Sequence, residues 1–420
     1  IKVYSMRAIN IKKMHESNIM LVLNIIRAND RISRYEISKV TKLSPSAVSN
    51  IVNLLIQAGF VSEVSKENRG AGRKPIGLSL SDRVYFPIGI EVESDRITGV
   101  VINLAGEVVK QKIEYISPEL SYNDILNKVI DIYFSLSEDF DQNQIIGLGV
   151  AIPGPVDAEK GISIFSVNLG WHNIAVEEIL KRHIDKPIFI EQNIRAVTLA
   201  ELWYGAGIGK DKIACIRVGS GVSAGFVING DIYRGSNGVV GELGHTVVEI
   251  DGNRCRCGGQ GCLESYVSTR ILIDKVMEGI KNKVYTKVLL DGKDRIEVLE
   301  EIFGAGKNGD RFICNIFEEM GKYLGIGIAN LINLFNPEVV IITGGLAKAE
   351  ELLLNPVIKT VKSRVFPPIP GFNMPEITIS KLGAFTCAIG AGTLVIEDIF
   401  LHPEKVDFHN FLGRNVEGKR

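Results

Sequence analysis

Three cysteines and a histidine crowd into one glycine-rich stretch, "GELGHTVVEIDGNRCRCGGQGCLE". Cys255, Cys257 and Cys262 are spaced C-x-C-x4-C, and His245 lies ten residues before the first of them. Thiolates and imidazole are the ligands Zn2+ prefers, and four of them close a tetrahedron. A closed shell leaves no position for an activated water, so the spacing predicts one structural Zn2+ per chain and not a catalytic one. Gly258, Gly259 and Gly261 let the backbone wrap around an ion. The alternatives are disulfides or free thiols, but a Cys255–Cys257 bridge closes a strained loop and leaves one thiol over. Cys215, Cys314 and Cys387 fall in apolar strand or helix patterns and are expected as buried packing residues.

A second constellation lies near the start. Residues 1–80 carry 13 basic and 5 acidic side chains, and the remainder 35 basic and 44 acidic, so a net charge of −1 conceals a basic front on an acidic body. That asymmetry points to a polyanion as partner. Short uncharged side chains at Ser44, Ser46, Ser49, Asn50 and Asn53 can approach base edges in a major groove, and Arg69, Arg73 and Lys74 in "ENRGAGRKP" suit a phosphate row or a narrow minor groove.

The elements that must carry these residues can be read locally. A helix is predicted over Ser17–Arg27, with Ile19, Val22, Leu23 and Ile26 on one face. A second opens at "SRYE", where Ser33 and Glu36 form a capping box and Ile32 and Ile37 a hydrophobic staple. A third has Ser44 as cap, Pro45 at its first position and Gly59 at its end. Strands at Phe60–Val64 and Ile76–Leu80 complete a wing. The plan is an all-α winged helix-turn-helix domain, residues 1–80, binding palindromic double-stranded DNA. A helical protein-interaction module with a solvated polar face is the alternative.

From Tyr85 onward strands and glycine turns alternate with helices such as Tyr122–Leu136 and Ile271–Ile280, as in α/β domains. "GVVINLAGEVV" (Gly99–Val109) is echoed by "AGFVINGDIYRG" (Ala224–Gly235), and "IIGLGVAIPGP" (Ile145–Pro155) by "VVIITGGLA" (Val339–Ala347). The natural reading is a duplicated α/β unit, two lobes around a ligand cleft. We place the linker at 81–86, the first lobe at 87–198 plus 380–398, the second lobe with the zinc loop at 199–379, and a C-terminal extension at 399–420. Composition, 45% hydrophobic and 23% charged, is that of a soluble globular protein. The apolar run Ile19–Ile26 is too short to span a bilayer, and no signal-peptide pattern precedes it, so a cytoplasmic protein without membrane partners is expected.

Taken together, "GELGH…CRCGGQGCLE", "GVAIPGPVD", "NLGW", "VGSGVSAGFVINGDIYRG" and "IITGGLA" resemble the landmarks of the ROK family (repressor, open reading frame, kinase), in the family's order, from about Tyr85 to Glu397. The head with its "GAGRKP" wing is similar to the sugar-responsive repressor branch, which includes xylose, glucose and N-acetylglucosamine regulators. The resemblance implies an actin-like, ribonuclease-H-like two-lobed fold with a sugar in the cleft, contacted by Asn168, Asn193, Glu242, His245 and Glu264. Surface acids without such a role are the alternative for Glu242 and Glu264. It also implies a homodimer or tetramer. Family kinases carry an Asp base where this chain has Asn193 in "IEQNIRAVTLAE", and a phosphate-binding turn where it has Glu91, Glu93, Ser94 and Asp95 in "GIEVESDRITG". An amide takes up no proton at neutral pH, and carboxylates repel phosphate. The expectation is a sugar-sensing repressor of carbohydrate-utilisation genes without kinase activity. The rivals are a sugar kinase with a DNA-binding head and a DNA-bound scaffold with an empty pocket.

Overall fold

The computed structural model of the chain describes residues 11–29, 31–65, 76–117, 119–290, 292–366 and 373–401. The chain divides into two compact units, Ile1–Ala196 with Cys387–Arg420, and Val197–Thr386.

The first unit begins with α1 (Ile11–Ala28), whose Ile19, Val22, Leu23 and Ile26 are buried. α2 (Arg34–Thr41) starts at a complete capping box: the Ser33 N–H donates to Glu36 Oε2 at 2.8 Å, and the Glu36 N–H returns to Ser33 Oγ at 3.3 Å. Ile32 and Ile37 are buried on either side of that cap. α3 (Pro45–Gln57) is capped by Ser44, whose Oγ accepts from the Ala47 N–H at 3.2 Å. The head is not all-α. β1 (Val61–Ser65) and β2 (Ile76–Leu80) form an antiparallel ladder, and the Leu78 N–H donates to the Ile32 carbonyl at 2.8 Å, tying the ladder to the start of α2. The first strand starts one residue later than its alternation suggested, because Phe60 turns inward and packs on Tyr85, ring centroids 4.8 Å apart. Arg69, Arg73 and Lys74 lie outside the described residues.

Residues 81–86, expected as a linker, are a packed joint. Ser81, Tyr85 and Phe86 are buried, the Tyr85 hydroxyl donates to the Ala58 carbonyl at 2.7 Å, and Phe86 already belongs to the next strand. Contacts of this kind hold the head within the first unit.

The α/β part of that unit runs β3 (Phe86–Val92), β4 (Arg96–Ile102), β5 (Val108–Tyr115), α4 (Tyr122–Ser137), β6 (Ile145–Ile152), β7 (Val156–Asp157), β8 (Ile162–Ser166), β9 (Trp171–Ile174), α5 (Val176–Lys181), β10 (Ile188–Gln192) and the first turn of α6 (Asn193–Tyr204), which passes into the second unit at Val197. Its main sheet has the order β10-β6-β3-β4-β5, with β7-β8-β9 as a small separate sheet. The second unit runs β11 (Lys212–Val218), β12 (Val222–Ile228), β13 (Asp231–Ile232), α7 (Thr269–Lys281), α8 (Arg295–Lys307), α9 (Arg311–Phe335), β14 (Val339–Thr343), α10 (Glu351–Arg364) and β15 (Glu376–Ile379); α11 (Thr386–Leu401) returns to the first. Its sheet has the order β15-β14-β11-β12-β13. In each sheet the first strand pairs in parallel with the fourth and antiparallel with the second. The sequence echoes thus fall on equivalent strands, β4 with β12 and β6 with β14.

β3 is buried along all seven residues, as expected for a strand covered on both faces. One cover is α11, which approaches so closely that a Cβ at Gly89 would lie 1.9 Å from the Ala388 carbonyl oxygen and one at Gly149 1.8 Å from that of Ala391. The Gly383–Leu401 stretch has the length and hydropathy to cross a membrane, but 67% of its apolar window is buried inside the fold. The units pass into one another near positions 196/197 and 386/387, whereas the sequence-drawn borders lay at 198/199 and 379/380. α11 extends through Leu401, so the first residues of the expected extension are helical, and Phe400 is buried.

Candidate metal centre, effector residues and nucleic-acid interface

Between β13 and α7 the chain forms little regular structure. Two isolated bridges, Val247 with Cys262 and Arg254 with Gln260, fold it back on itself and bring the three cysteines together. The Cys255 N–H donates to the Gly259 carbonyl at 2.9 Å, and the Gly261 N–H to that of Asn253 at 2.8 Å. Gly261 adopts φ +74°, and a Cβ there would lie 1.7 Å from the Glu249 carbonyl oxygen, so only glycine passes. Behind the loop, the Tyr266 hydroxyl accepts from the Asn253 N–H at 2.7 Å and its ring stacks on Tyr323 at 4.0 Å. The Tyr323 hydroxyl donates to Glu249 Oε2 at 2.9 Å; burial, aided by that carboxylate, pushes the Tyr323 phenol up to about 12.

The ligand atoms of His245, Cys255, Cys257 and Cys262 all lie within 4.8 Å of one another. Cys257 Sγ is 3.8 Å from Cys262 Sγ, and Cys255 Sγ is 3.8 Å from His245 Nδ1. A tetrahedron with metal–sulfur bonds of about 2.3 Å has edges of about 3.8 Å, so the set fits a four-coordinate ion. Burial drives the Cys262 thiol up to about 12, with the two neighbouring sulfurs adding to the shift, whereas the Gly259 N–H helps hold the Cys257 thiol below its ordinary value. Sulfur crowding of this kind is what a divalent cation relieves. Cys215 and Cys387 are buried as expected; Cys314 is only half-buried, with Sγ donating to the Gly306 carbonyl.

His245 presents its other nitrogen to Glu242: Nε2 lies 3.9 Å from Glu242 Oε2. Glu264, two residues after the last cysteine, accepts the Val222 N–H at Oε2 (3.2 Å) and faces Arg256 at Oε1 (3.7 Å). Gly244, beside His245, also packs on Val222, where a Cβ would lie 2.4 Å from the carbonyl oxygen. Glu242, His245 and Glu264 thus lie beside the three cysteines and the start of β12, within the second unit. Asn168 and Asn193 belong to the first unit: Asn168 is exposed in the turn between β8 and β9, and Asn193 is the half-buried first residue of α6.

Next to Asn193 is a feature that sequence reasoning missed. Arg195 Nε donates to Glu191 Oε1 at 2.6 Å, with both side chains at most 2% exposed, and the Gln192 N–H donates to the same oxygen at 2.7 Å. The i,i+4 spacing was visible, but nothing local announced its burial. The β3–β4 turn is closed by Glu93 and Arg96, whose N–H and carbonyl pair at 2.9 Å while Arg96 Nη2 meets Glu93 Oε2 at 2.6 Å. With Asp95 in the same turn and Glu91 buried just before it, this corner concentrates carboxylates.

In the head, Ser46, Asn50 and Asn53 are exposed along one face of α3 and Ser49 is half-exposed, while Val48, Ile51, Val52 and Leu55 fill the opposite face. Ser44 Oγ lies 3.0 Å from Ser46 Oγ as well as capping the helix. Asn53 is not isolated: Arg34 Nη1 donates to its Oδ1 at 2.9 Å, and Arg34 Nη2 meets Glu63 Oε1 at 3.0 Å.

A family model described as ROK family matches residues 87–398, and one for winged helix-turn-helix DNA-binding matches residues 17–62. The xylose repressor of Caldicellulosiruptor bescii is 31% identical over 398 residues, 93% of this chain and 98% of that protein. The DNA-binding transcriptional dual regulator NagC of Escherichia coli is 28% identical over 388 residues, 92% and 94% of the two chains. A crystal structure of a ROK family transcriptional regulator, homolog of the E. coli Mlc protein, superposes with a TM-score of 0.75 at 26% identity, covering 92% of this chain and 98% of that one. A ROK family glucokinase from Streptomyces griseus in complex with glucose and AMPPNP gives 0.66 at 26% identity, covering 74% of this chain and 99% of its own.

Proposed function

The chain belongs to the ROK family, and from that premise we propose that it is a sugar-responsive transcriptional repressor of carbohydrate-utilisation genes. The observation that carries this reading is the pairing, in one chain, of a winged helix-turn-helix with a ROK body, an arrangement that aligns almost end to end with a xylose repressor. Such a protein works where the chromosome is, in the cytoplasm.

The effector reading rests on Glu242, His245 and Glu264; Asn168 and Asn193 are proposed as sugar contacts in their own right. A sugar offers adjacent hydroxyls, and carboxylate and amide oxygens accept from them in pairs. The ion suited to His245, Cys255, Cys257 and Cys262 is Zn2+, one per chain; when bound it supplies a rigid tetrahedral joint with no vacant position for chemistry. His245 uses Nδ1 on the metal side, which aims Nε2 at Glu242 and fixes the ring for a ligand.

Phosphoryl transfer has little support from this chain. Asn193 offers no base, and the β3–β4 corner would repel phosphate. The repressor reads a palindrome as a homodimer or a tetramer, and sugar binding favours the conformation with weaker operator affinity.

The test is a mobility-shift assay on the DNA upstream of the protein's own gene, with a panel of mono- and disaccharides, beside a coupled ATP-turnover assay on the same panel. One sugar should weaken the shift and none should drive turnover. The rival kinase reading, favoured by the likeness to a glucokinase, would replace this one if ATP were consumed above background. A shift indifferent to every sugar, with no heat of binding, would leave only the scaffold reading.

A further inference from the structure

Resting on the assignment of α3 as the DNA-reading helix, we propose that Arg34 turns Asn53 into a donor-only reader of bases, selecting guanine over adenine at one position of each half-site. A guanidinium has donors and no acceptor, so the Asn53 atom that meets Arg34 Nη1 at 2.9 Å has to be its oxygen. The amide orientation is therefore set by chemistry. Adenine is recognised by an asparagine that lays both its oxygen and its nitrogen along the base edge, accepting from N6 and donating to N7. Held against a cation on the protein side, the Asn53 oxygen is withdrawn from that edge, and its NH2 group, which has no acceptor among the described residues, is what remains to present. Guanine offers two acceptors, O6 and N7, to such a donor, whereas cytosine offers a competing one.

Arg34 is held firmly enough to impose this. Its second nitrogen meets Glu63 of β1 at 3.0 Å. Its backbone lies within the Ser33–Glu36 capping box, as the first residue of α2. The wing is tied to the same point by the Leu78 N–H and the Ile32 carbonyl. Asn50, one turn earlier on the same face, has no partner among the described residues and keeps both amide groups for readout.

The experiment is selection from a random duplex pool by the full-length protein and by Asn53→Ala, Asn53→Asp and Arg34→Met, with melting temperatures for each. Asn53→Ala should flatten one column per half-site, and in the native protein that column should favour guanine over adenine by about five- to tenfold. Asn53→Asp should move it toward cytosine. Arg34→Met should admit adenine there while other columns stay unchanged, which a loss of stability alone would not produce. Adenine in that column of the native motif, or no column responding to Asn53→Ala, would overturn the proposal. So would Arg34→Met weakening all columns alike, since Arg34 would then be only a strut. A native protein that enriches no motif at all would sink the DNA-reading assignment itself, together with this inference.

Discussion

Cys262 is where the proposed metal site is most exposed to test. It is buried, its thiol is raised by that burial, and it sits 3.8 Å from Cys257. Cys262→Ser removes one ligand from a set of four and leaves the loop without its joint. We expect metal content, read by atomic emission, to fall from about one ion per chain toward none, with a lower melting temperature. DNA binding at low temperature should persist, because Ser44–Asn53 belongs to the other unit. Full metal content in the serine variant would remove Cys262 from the ligand set. Glu242→Ala should separate the neighbouring role: metal content and operator binding stay, while sugar affinity falls roughly ten- to hundredfold, as for a lost hydrogen bond to a charged group. The cluster was legible in the sequence because its ligand types are rare and nearly contiguous. The Arg34–Asn53–Glu63 bridge was not, because its members are 19 and 29 residues apart and no local rule joins them.

Among the elements, α9 shows how much one cap can hold. Asp310 accepts at Oδ1 from the Phe312 and Ile313 N–H groups (3.0 and 3.2 Å), and at Oδ2 from the Thr286 hydroxyl and Lys287 N–H (2.9 and 2.7 Å). Burial favours the neutral acid, but these four donors prevail, and its pKa lies below the ordinary value. A lowered folded pKa means that the carboxylate stabilises the fold above the unfolded value, near 4, and that this contribution fades as pH falls through the lower folded value. Asp310→Ala should therefore cost about 1–2 kcal/mol at pH 7, measured by denaturant titration, and the gap to the native protein should shrink at about pH 3. An equal gap at both pH values would show that packing, not charge, carries the effect. Elements were legible where their signals are local. The Ser33 and Ser44 caps, the helices at Tyr122 and Ile271 and the two strand echoes needed only neighbouring residues. The wing slipped by one residue because Phe60 answers to Tyr85, 25 positions away, which alternation cannot reveal.

For the molecule as a whole, the joint at Ser81–Phe86 changes what a signal has to do. A loose tether would let the head wander whatever state the body adopts. Here the Tyr85 hydroxyl holds Ala58 at the end of α3, and Phe86 opens the first strand of the ROK body, so the reading helix is one buried residue from the sheet. The sequence offered only a run of six residues between two patterns, and its packing depends on partners in both. A head fixed in this way makes operator affinity a property of the body's state, and linkage then demands symmetry. If a sugar weakens operator binding by a given factor, the operator must weaken sugar binding by the same factor. For a coupling of about 1.4 kcal/mol that factor is about ten. Calorimetric titration of the effector into protein with and without saturating operator should show it, and Tyr85→Phe, which removes the hydroxyl but keeps the ring on Phe60, should reduce the factor without altering either affinity measured alone. Reciprocity with an undiminished factor in Tyr85→Phe would move the relay away from this joint. Unequal factors in the native protein would mean that a third species, such as a change in oligomeric state, takes part in the exchange.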